Sequence, residues 1–418
     1  MSHAVPVPTA HSRRPLLAWM LYDVASSTYA AVVPSVLFAL HFTADIAAGR
    51  PDAAALWGIT SAAALLVAGI VAPFVGAWAD GRRAHTPLLA FFTLLCCVAT
   101  ALLPWPAAGE ILLAAVVFVT AQVGYIVAIA LYDAYLERLG PAAGGAERLS
   151  ARGWAVGFVG GIVVLLVLLV LPRDTHGAPD PALAFPVVGL MFLAIAIPAI
   201  SGLRGVHPAP SKDAAGVHPW RRVAHTLAHW REQAPAMRFL VAMFLINDAM
   251  VTVSVFVAIY LRDHFGVAMA DVLRLTLLYH LIALPATWLF GALAHRATAR
   301  TAVAISIAIW IATILLLAFG SGRGAAVAII VMLASVLGST QALLRGMYAR
   351  IVPTERAAEF FGFNALAGRL SAALGPLTFA AVAAATGSSR VAILSLTLFL
   401  VGGGVLLWRS VGPREPAA

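Results

Sequence analysis

Charge is what this sequence has least of. Asp, Glu, Lys and Arg make up 11% of its 418 residues, where a soluble domain carries about 25%. With 62% of residues hydrophobic, an ordinary soluble domain is excluded, and the chain reads as an integral membrane protein whose first partner is the lipid bilayer. Cysteine is nearly missing as well. Cys96 and Cys97 are adjacent in an apolar run, which argues against a disulfide scaffold and a paired-cysteine metal site. Phosphate-binding loops, H-E-x-x-H helices, Ser-x-x-Lys pairs and nucleophile elbows do not occur. An enzyme is therefore not expected, nor a metal, nor any cofactor beyond coupling protons. The net charge of +9 sits in short loops between apolar runs rather than on one basic face, so no nucleic-acid partner is expected. Met1–Pro15 is polar and lacks a signal-peptide core with a small-residue cleavage site. The first apolar run is expected to be kept as a helix.

What is present is a succession of apolar runs, each near the roughly 20 residues that cross a bilayer as a helix. They predict an all-α membrane protein with about twelve spans, at 16–42, 53–79, 87–104, 110–136, 153–171, 182–203, 238–261, 271–294, 300–319, 325–350, 359–385 and 389–409. Two six-helix bundles, 16–203 and 238–409, are separated by a polar linker, 204–237, and flanked by tails, 1–15 and 410–418. Within the linker, Trp220–Gln233 reads as a short surface helix. Alternate loops hold most of the Lys and Arg, among them Arg82, Arg83, Arg148, Arg152, Arg221 and Arg222. The opposite loops hold only Arg50, Arg173, Arg262, Arg274, Arg323 and Arg390. This bias predicts that both termini are cytoplasmic.

The halves echo one another. Tyr22-Asp23 in the first span answers Asn247-Asp248 in the seventh. Gly76-Ala-Trp-Ala-Asp80, ending the second, answers Gly291-Ala-Leu-Ala-His295, ending the eighth. Tyr135 before Pro141 answers Tyr348 before Pro353. Such a repeat predicts two related six-helix halves, the plan of the major facilitator transporters.

Five stretches carry a closer resemblance: WMLYDVASSTYAAVVPSVLFALHF (19–42), PFVGAWADGRRAHTPLL (73–89), ERLSARGWAVGFVGG (147–161), FLINDAMVTV (244–253) and GSTQALLRGMYARIVPTERAAEFFGFNALAGRLSAALGPL (338–377). They resemble the autophagy-related vacuolar amino-acid effluxers and their bacterial relatives, a branch of the major facilitator superfamily. The resemblance implies a cavity lined by the first, fourth, seventh and tenth helices. It also implies a gating loop at Gly76, Asp80, Arg82 and Arg83. There the acid caps a neighbouring helix start or pairs with a base of the eleventh helix. Asp80 stands about two residues closer to its basic pair than the family pattern has it, and the second copy has His295 in place of the acid.

Ionisable groups inside a bilayer are costly and face a polar interior. Asp23, Asp133, Asp248 and Arg345 fall on the four implied cavity helices, and Arg369 on the eleventh. Two readings stay open. These groups bind a solute or proton, or they pair with one another as an inner gate. Tyr22, Ser26 and Tyr29 form a polar stripe. Gln122 shares a face with Asp133, and Gln341 with Arg345. Asn247 adjoins Asp248, Asn364 can orient Arg369, and His280 is a relay or a packed histidine. Gly153, Gly157, Gly160 and Gly161 permit close helix approach. Pro34 and Gly375-Pro376 mark sites for bends.

With charges of both signs, the reading is a secondary transporter working by alternating access, with proton coupling possible. Its solute is expected to be small and zwitterionic, an amino acid by the resemblance, moved outward. The protein is expected as a monomer in a bacterial cytoplasmic (inner) membrane. The alternatives are a transporter of lipid, drug or organic anion, and a sensor or partner protein on the same fold.

Overall fold

Lipid offers no hydrogen bonds, so every backbone N–H and C=O in the bilayer must be bonded within the protein, and an apolar run meets that demand as a helix. The computed structural model describes residues 13–48, 50, 53–173, 179–206, 219–228, 230–265 and 269–410. Among them are twelve long helices: α1 (Arg14–Ala30), α2 (Ala53–Arg82), α3 (His85–Ala101), α4 (Ile111–Asp133), α5 (Ala146–Val170), α6 (Pro181–Gly202), α7 (Ala234–Phe265), α8 (Met269–Arg296), α9 (Ala299–Phe319), α10 (Gly322–Ile351), α11 (Ala357–Thr386) and α12 (Ser389–Ser410). Eight are long and apolar enough to cross a membrane, and α3 is apolar but shorter.

The expected first span is split. After α1 the chain resumes as π-helical turns at Val33–Leu37 and Phe42–Ile46, with one α-helical turn, Phe38–His41, between them. Pro34 lies in the first π turn, where its missing N–H breaks the i→i−4 ladder. α7 starts at Ala234 rather than at 238, and α2 runs on to Arg82. Asp180 caps α6 by accepting from Ala182 N at 3.0 Å, ahead of Pro181. Thr298 likewise caps α9 through Thr301 N at 3.1 Å.

The two sets of six helices pack by one scheme. In the first, α1 contacts α5 and α6, α3 contacts α4 and α6, and α2 contacts α4. In the second, α7 contacts α11 and α12, α9 contacts α10 and α12, and α8 contacts α10. The halves meet where α2 touches α11, α8 touches α5, α4 touches α11 and α10 touches α5. Exchanging the halves maps this set onto itself, so the bundle has two-fold pseudo-symmetry. The echo of Gly76 in Gly291 has a physical basis here. Gly76 lies against the backbone of Ala358 on α11, and Gly291 against Ala151 on α5. A side chain at either would strike the opposite half.

Part of the linker, 207–218, and the tails 1–12 and 411–418 lie outside the described residues. Within the linker, Pro219–Ala228 is a helix that packs on α2. Its buried Thr226 bonds Glu359 of α11 and Arg356 just before it.

Candidate functional site

Odd-numbered helices begin, and even-numbered helices end, at one face of the bundle. The cross-half bonds described below gather toward this end. Here α10 carries Arg345, 8% exposed, and six side chains converge on its guanidinium, three by hydrogen bonds and three by aromatic faces. Asp133, the last residue of α4, accepts from Nη1 at 3.1 Å. Asp23 of α1 accepts from Nη2 at 3.3 Å. Ser150 of α5 accepts at its hydroxyl from Nε at 2.8 Å and at its carbonyl from Nη2 at 3.2 Å. Trp19 of α1 lies across the guanidinium at 5.1 Å, with Tyr132 and Trp154 at 5.9 Å. Trp19 is held by stacking on Tyr132 at 4.6 Å and by donating Nε1–H to the Tyr132 carbonyl at 3.2 Å. Gly153 admits the arrangement, because a Cβ there would strike Asp23 Oδ2 and the Trp19 ring. Removing one partner of such a buried set costs about 3–5 kcal/mol, because the charge left behind has neither partner nor water.

Further contacts close the same end. Glu147 of α5 accepts from Arg350 of α10 at 3.0 Å, and Glu137 accepts from the Thr354 hydroxyl at 3.1 Å. Asp80, buried at the end of α2, accepts from Ala358 N at 3.2 Å and Glu359 N at 2.9 Å. It thereby caps the start of α11, where free N–H groups and the helix dipole favour an anion. His85 Nε2 holds the same carboxylate at 2.8 Å. In the second copy His295 lies near Gly144, just before α5.

On the far side of Arg345, a cavity of about 370 Å³ opens between α4, α5, α7, α10 and α11. Its polar lining includes Asp133, Arg345, Asn247, Gln341 and Asn364; Tyr125 and Trp154 are mixed, with a hydroxyl and an indole N–H, and Phe244, Met250 and Phe361 are among its apolar walls. Of the residues singled out in the sequence, these five polar groups therefore share one hollow, and Asp23 joins them through Arg345. Others point elsewhere. Tyr22 bonds Thr93 at 2.7 Å, and Gln122 accepts from Tyr29 at 3.1 Å, both inside the first half. Ser26 donates to the Asp23 carbonyl at 3.2 Å. Asp248, 1% exposed, does not line the hollow. It lies against Gly375 of α11, and its Oδ2 has no partner among the described residues. Of the gating-loop residues, Gly76 and Asp80 join α2 to α11; Arg82 lies over Trp78 at 5.5 Å, and Arg83 is exposed with a positive φ of 54°. The side chains of Arg369, His280 and Arg274 lie outside the described residues.

The sequence reading missed the aromatic box of Trp19, Tyr132 and Trp154, together with Ser150, Glu147 and His85. Glu147, Ser150 and Trp154 recur at helical spacing, which was the available signal.

A family model described as "Vacuole effluxer Atg22 like" matches residues 140–414. The chain belongs to this Atg22-like family. It is 27% identical over 400 residues to an uncharacterized MFS-type transporter, YxiO, of Bacillus subtilis (strain 168), covering 93% of each chain. It is 21% identical over 281 residues to autophagy-related protein 22 of Coccidioides immitis (strain RS), covering 61% of this chain and 47% of that protein. Among solved structures, a variant of the E. coli fucose:proton symporter FucP superposes with a TM-score of 0.73 at 15% identity, covering 97% of this chain and 100% of that one. The Atg22-like chain is therefore a multi-pass membrane transporter of the major facilitator type, not an enzyme. Its fold is that of about twelve helices in two six-helix bundles.

Proposed function

We propose that this transporter moves an amino acid or similar small zwitterion out of a bacterial cell, across the cytoplasmic membrane, by alternating access coupled to protons. One observation carries the reading. The Asp23–Arg345–Asp133 set joins the two halves and at the same time floors the hollow between them. A solute in that hollow touches the lock that keeps one end shut. The excess of Lys and Arg at the shut end supports a cytoplasmic face there, with both termini inside. The state described is then one closed to the cytoplasm. Asp23 and Asp248 are the acids best placed to carry protons, since one sits in the lock and the other is buried without a full set of partners. The protein works as a monomer, its hollow being enclosed by the helices of one chain.

Counterflow in proteoliposomes tests the reading. Vesicles loaded with unlabelled amino acids should accumulate the matching radiolabelled one, and an imposed pH gradient should drive uptake uphill. Asp23→Asn should retain exchange and lose the uphill component. A protein that exchanges no amino acid under these conditions rejects the substrate class, and undiminished pH-driven uptake by Asp23→Asn removes that acid from coupling.

A further inference from the structure

Which end of a zwitterion the hollow recognises follows from which polar atoms are left over. Arginine has five N–H groups. Arg345 gives one to the Ser150 hydroxyl, one to Asp133, and its two Nη2 groups to Asp23 and the Ser150 carbonyl. A single Nη1–H remains. A solute carboxylate would have to approach it alone, without the two-pronged contact that makes arginine a carboxylate site, and beside two acids already in place.

The acid side is different. Asp133 is 6% exposed and lines the hollow. Its Oδ1 is bonded to Arg345, whereas its Oδ2 takes no hydrogen bond among the described residues and, unlike Oδ2 of Asp248, is not among the sealed, unpartnered atoms. Two carboxylates against one guanidinium leave the floor with a formal excess of one negative charge. Three of the other polar groups of the lining are amides; Tyr125 adds a hydroxyl, and the Trp154 indole N–H, without a partner among the described residues, is sealed off and so not open to a solute. Neither Gln341 nor Asn364 uses its side chain in a hydrogen bond among the described residues, and Asn247 donates one N–H to Ser371 at 3.1 Å. Amides bind neutral or anionic groups without demanding charge.

We propose that the hollow holds its solute by an ammonium group on Asp133 Oδ2, so that the amino group rather than the carboxylate is what the transporter selects. The inference rests on the transport reading above and deepens it. The solute's ammonium donates to the open carboxylate oxygen. Gln341, Asn364 and Asn247 meet the other polar end, and Phe244, Met250 and Phe361 meet an apolar side chain. An ammonium at Asp133 also competes with Arg345 for that acid, so binding loosens the cross-half lock.

Competition against labelled leucine in counterflow, run on the full-length protein, tests this with four leucine analogues. Leucinamide and 3-methylbutylamine keep the ammonium; N-acetylleucine and 4-methylpentanoate keep the carboxylate. The amines should compete within a few-fold of leucine, and the two acids about tenfold or more weakly. Acids that compete as well as the amines overturn the ammonium assignment while leaving amino-acid transport standing. Thermal shift with the same five compounds separates the remaining cases. Amines that bind where leucine does not reject the amino-acid reading and keep the ammonium site; leucine that binds where neither amine does rejects the ammonium site alone, and no shift with leucine or either amine rejects both. Asp133→Asn should erase the preference for amines, whereas Asp23→Asn, whose acid lies behind Arg345, should keep it. A preference that survives Asp133→Asn places the ammonium elsewhere.

Discussion

At the scale of the residue, Arg345 spends four of its five N–H groups inside the protein. Its bonds run to α1, α4 and α5 of the other half, and three aromatic faces surround it. A lysine would offer a compact point charge with three N–H groups where Arg345 makes four bonds, and no planar face for the aromatic box. Arg345→Lys should therefore behave as a loss of function in exchange. Arg345→Met is harsher. It leaves Asp23 and Asp133 buried without a cation, a cost of about 3–5 kcal/mol, and should lower the detergent-solubilised melting temperature markedly. Adding Asp23→Asn to it should recover part of the loss, because one uncompensated acid disappears. An Arg345→Met protein that melts like the parent would mean the pairing contributes nothing to the closed end.

At the scale of the helix, the closed end depends on small residues and one cap. Asp80 bonds two N–H groups at the start of α11, and Gly76 lets the two backbones touch. Asp80→Ala should weaken the contact by about 1–2 kcal/mol, the usual worth of a capping side chain. Gly76→Val should wedge α2 from α11. Spin labels at Arg83→Cys and Glu355→Cys, flanking this contact, should report a longer distance for both variants; an unchanged distance for Gly76→Val would contradict the tight approach. The helices themselves were legible in the sequence, because apolar runs of bilayer length have few other uses. So were Asp133 and Arg345, because a charge inside such a run is too costly to be idle. The direction each charge faces was not. In a helix that is apolar all round, no polar face marks the outside, and Asp248 turns toward Gly375 while its neighbour Asn247 lines the hollow. The aromatic box was hidden for a related reason: Trp19, Tyr132 and Trp154 read as ordinary apolar filling until Arg345 is seen among them. Pro34 was visible as a break, but its resolution into π turns depends on packing around Phe38 and Phe42.

At the scale of the whole molecule, two seams related by the pseudo-twofold hold the same end shut, α2 against α11 and α8 against α5. They differ in construction. The first is capped by Asp80, while among the described residues no side chain caps the start of α5. If each half moves as a unit, releasing Arg345 must open both seams together, because its partners lie on α1, α4 and α5 of one half and it lies on α10 of the other. A second label pair at Ala142→Cys, in the 3-10 turn Pro141–Ala143, and Ala297→Cys, between α8 and α9, both exposed, reports the α5–α8 seam, with Cys96 and Cys97 replaced by alanine in each labelled protein. Saturating solute should lengthen both distances in parallel. A solute that binds the open form tenfold better shifts the ratio of forms tenfold, about 1.4 kcal/mol, enough to see as a second peak in the distance distribution. Arg345→Met should populate that longer peak without solute. Lengthening at only one seam would mean the halves flex rather than rock, and no lengthening under conditions where exchange proceeds would remove the Asp23–Arg345–Asp133 set from its place as the lock.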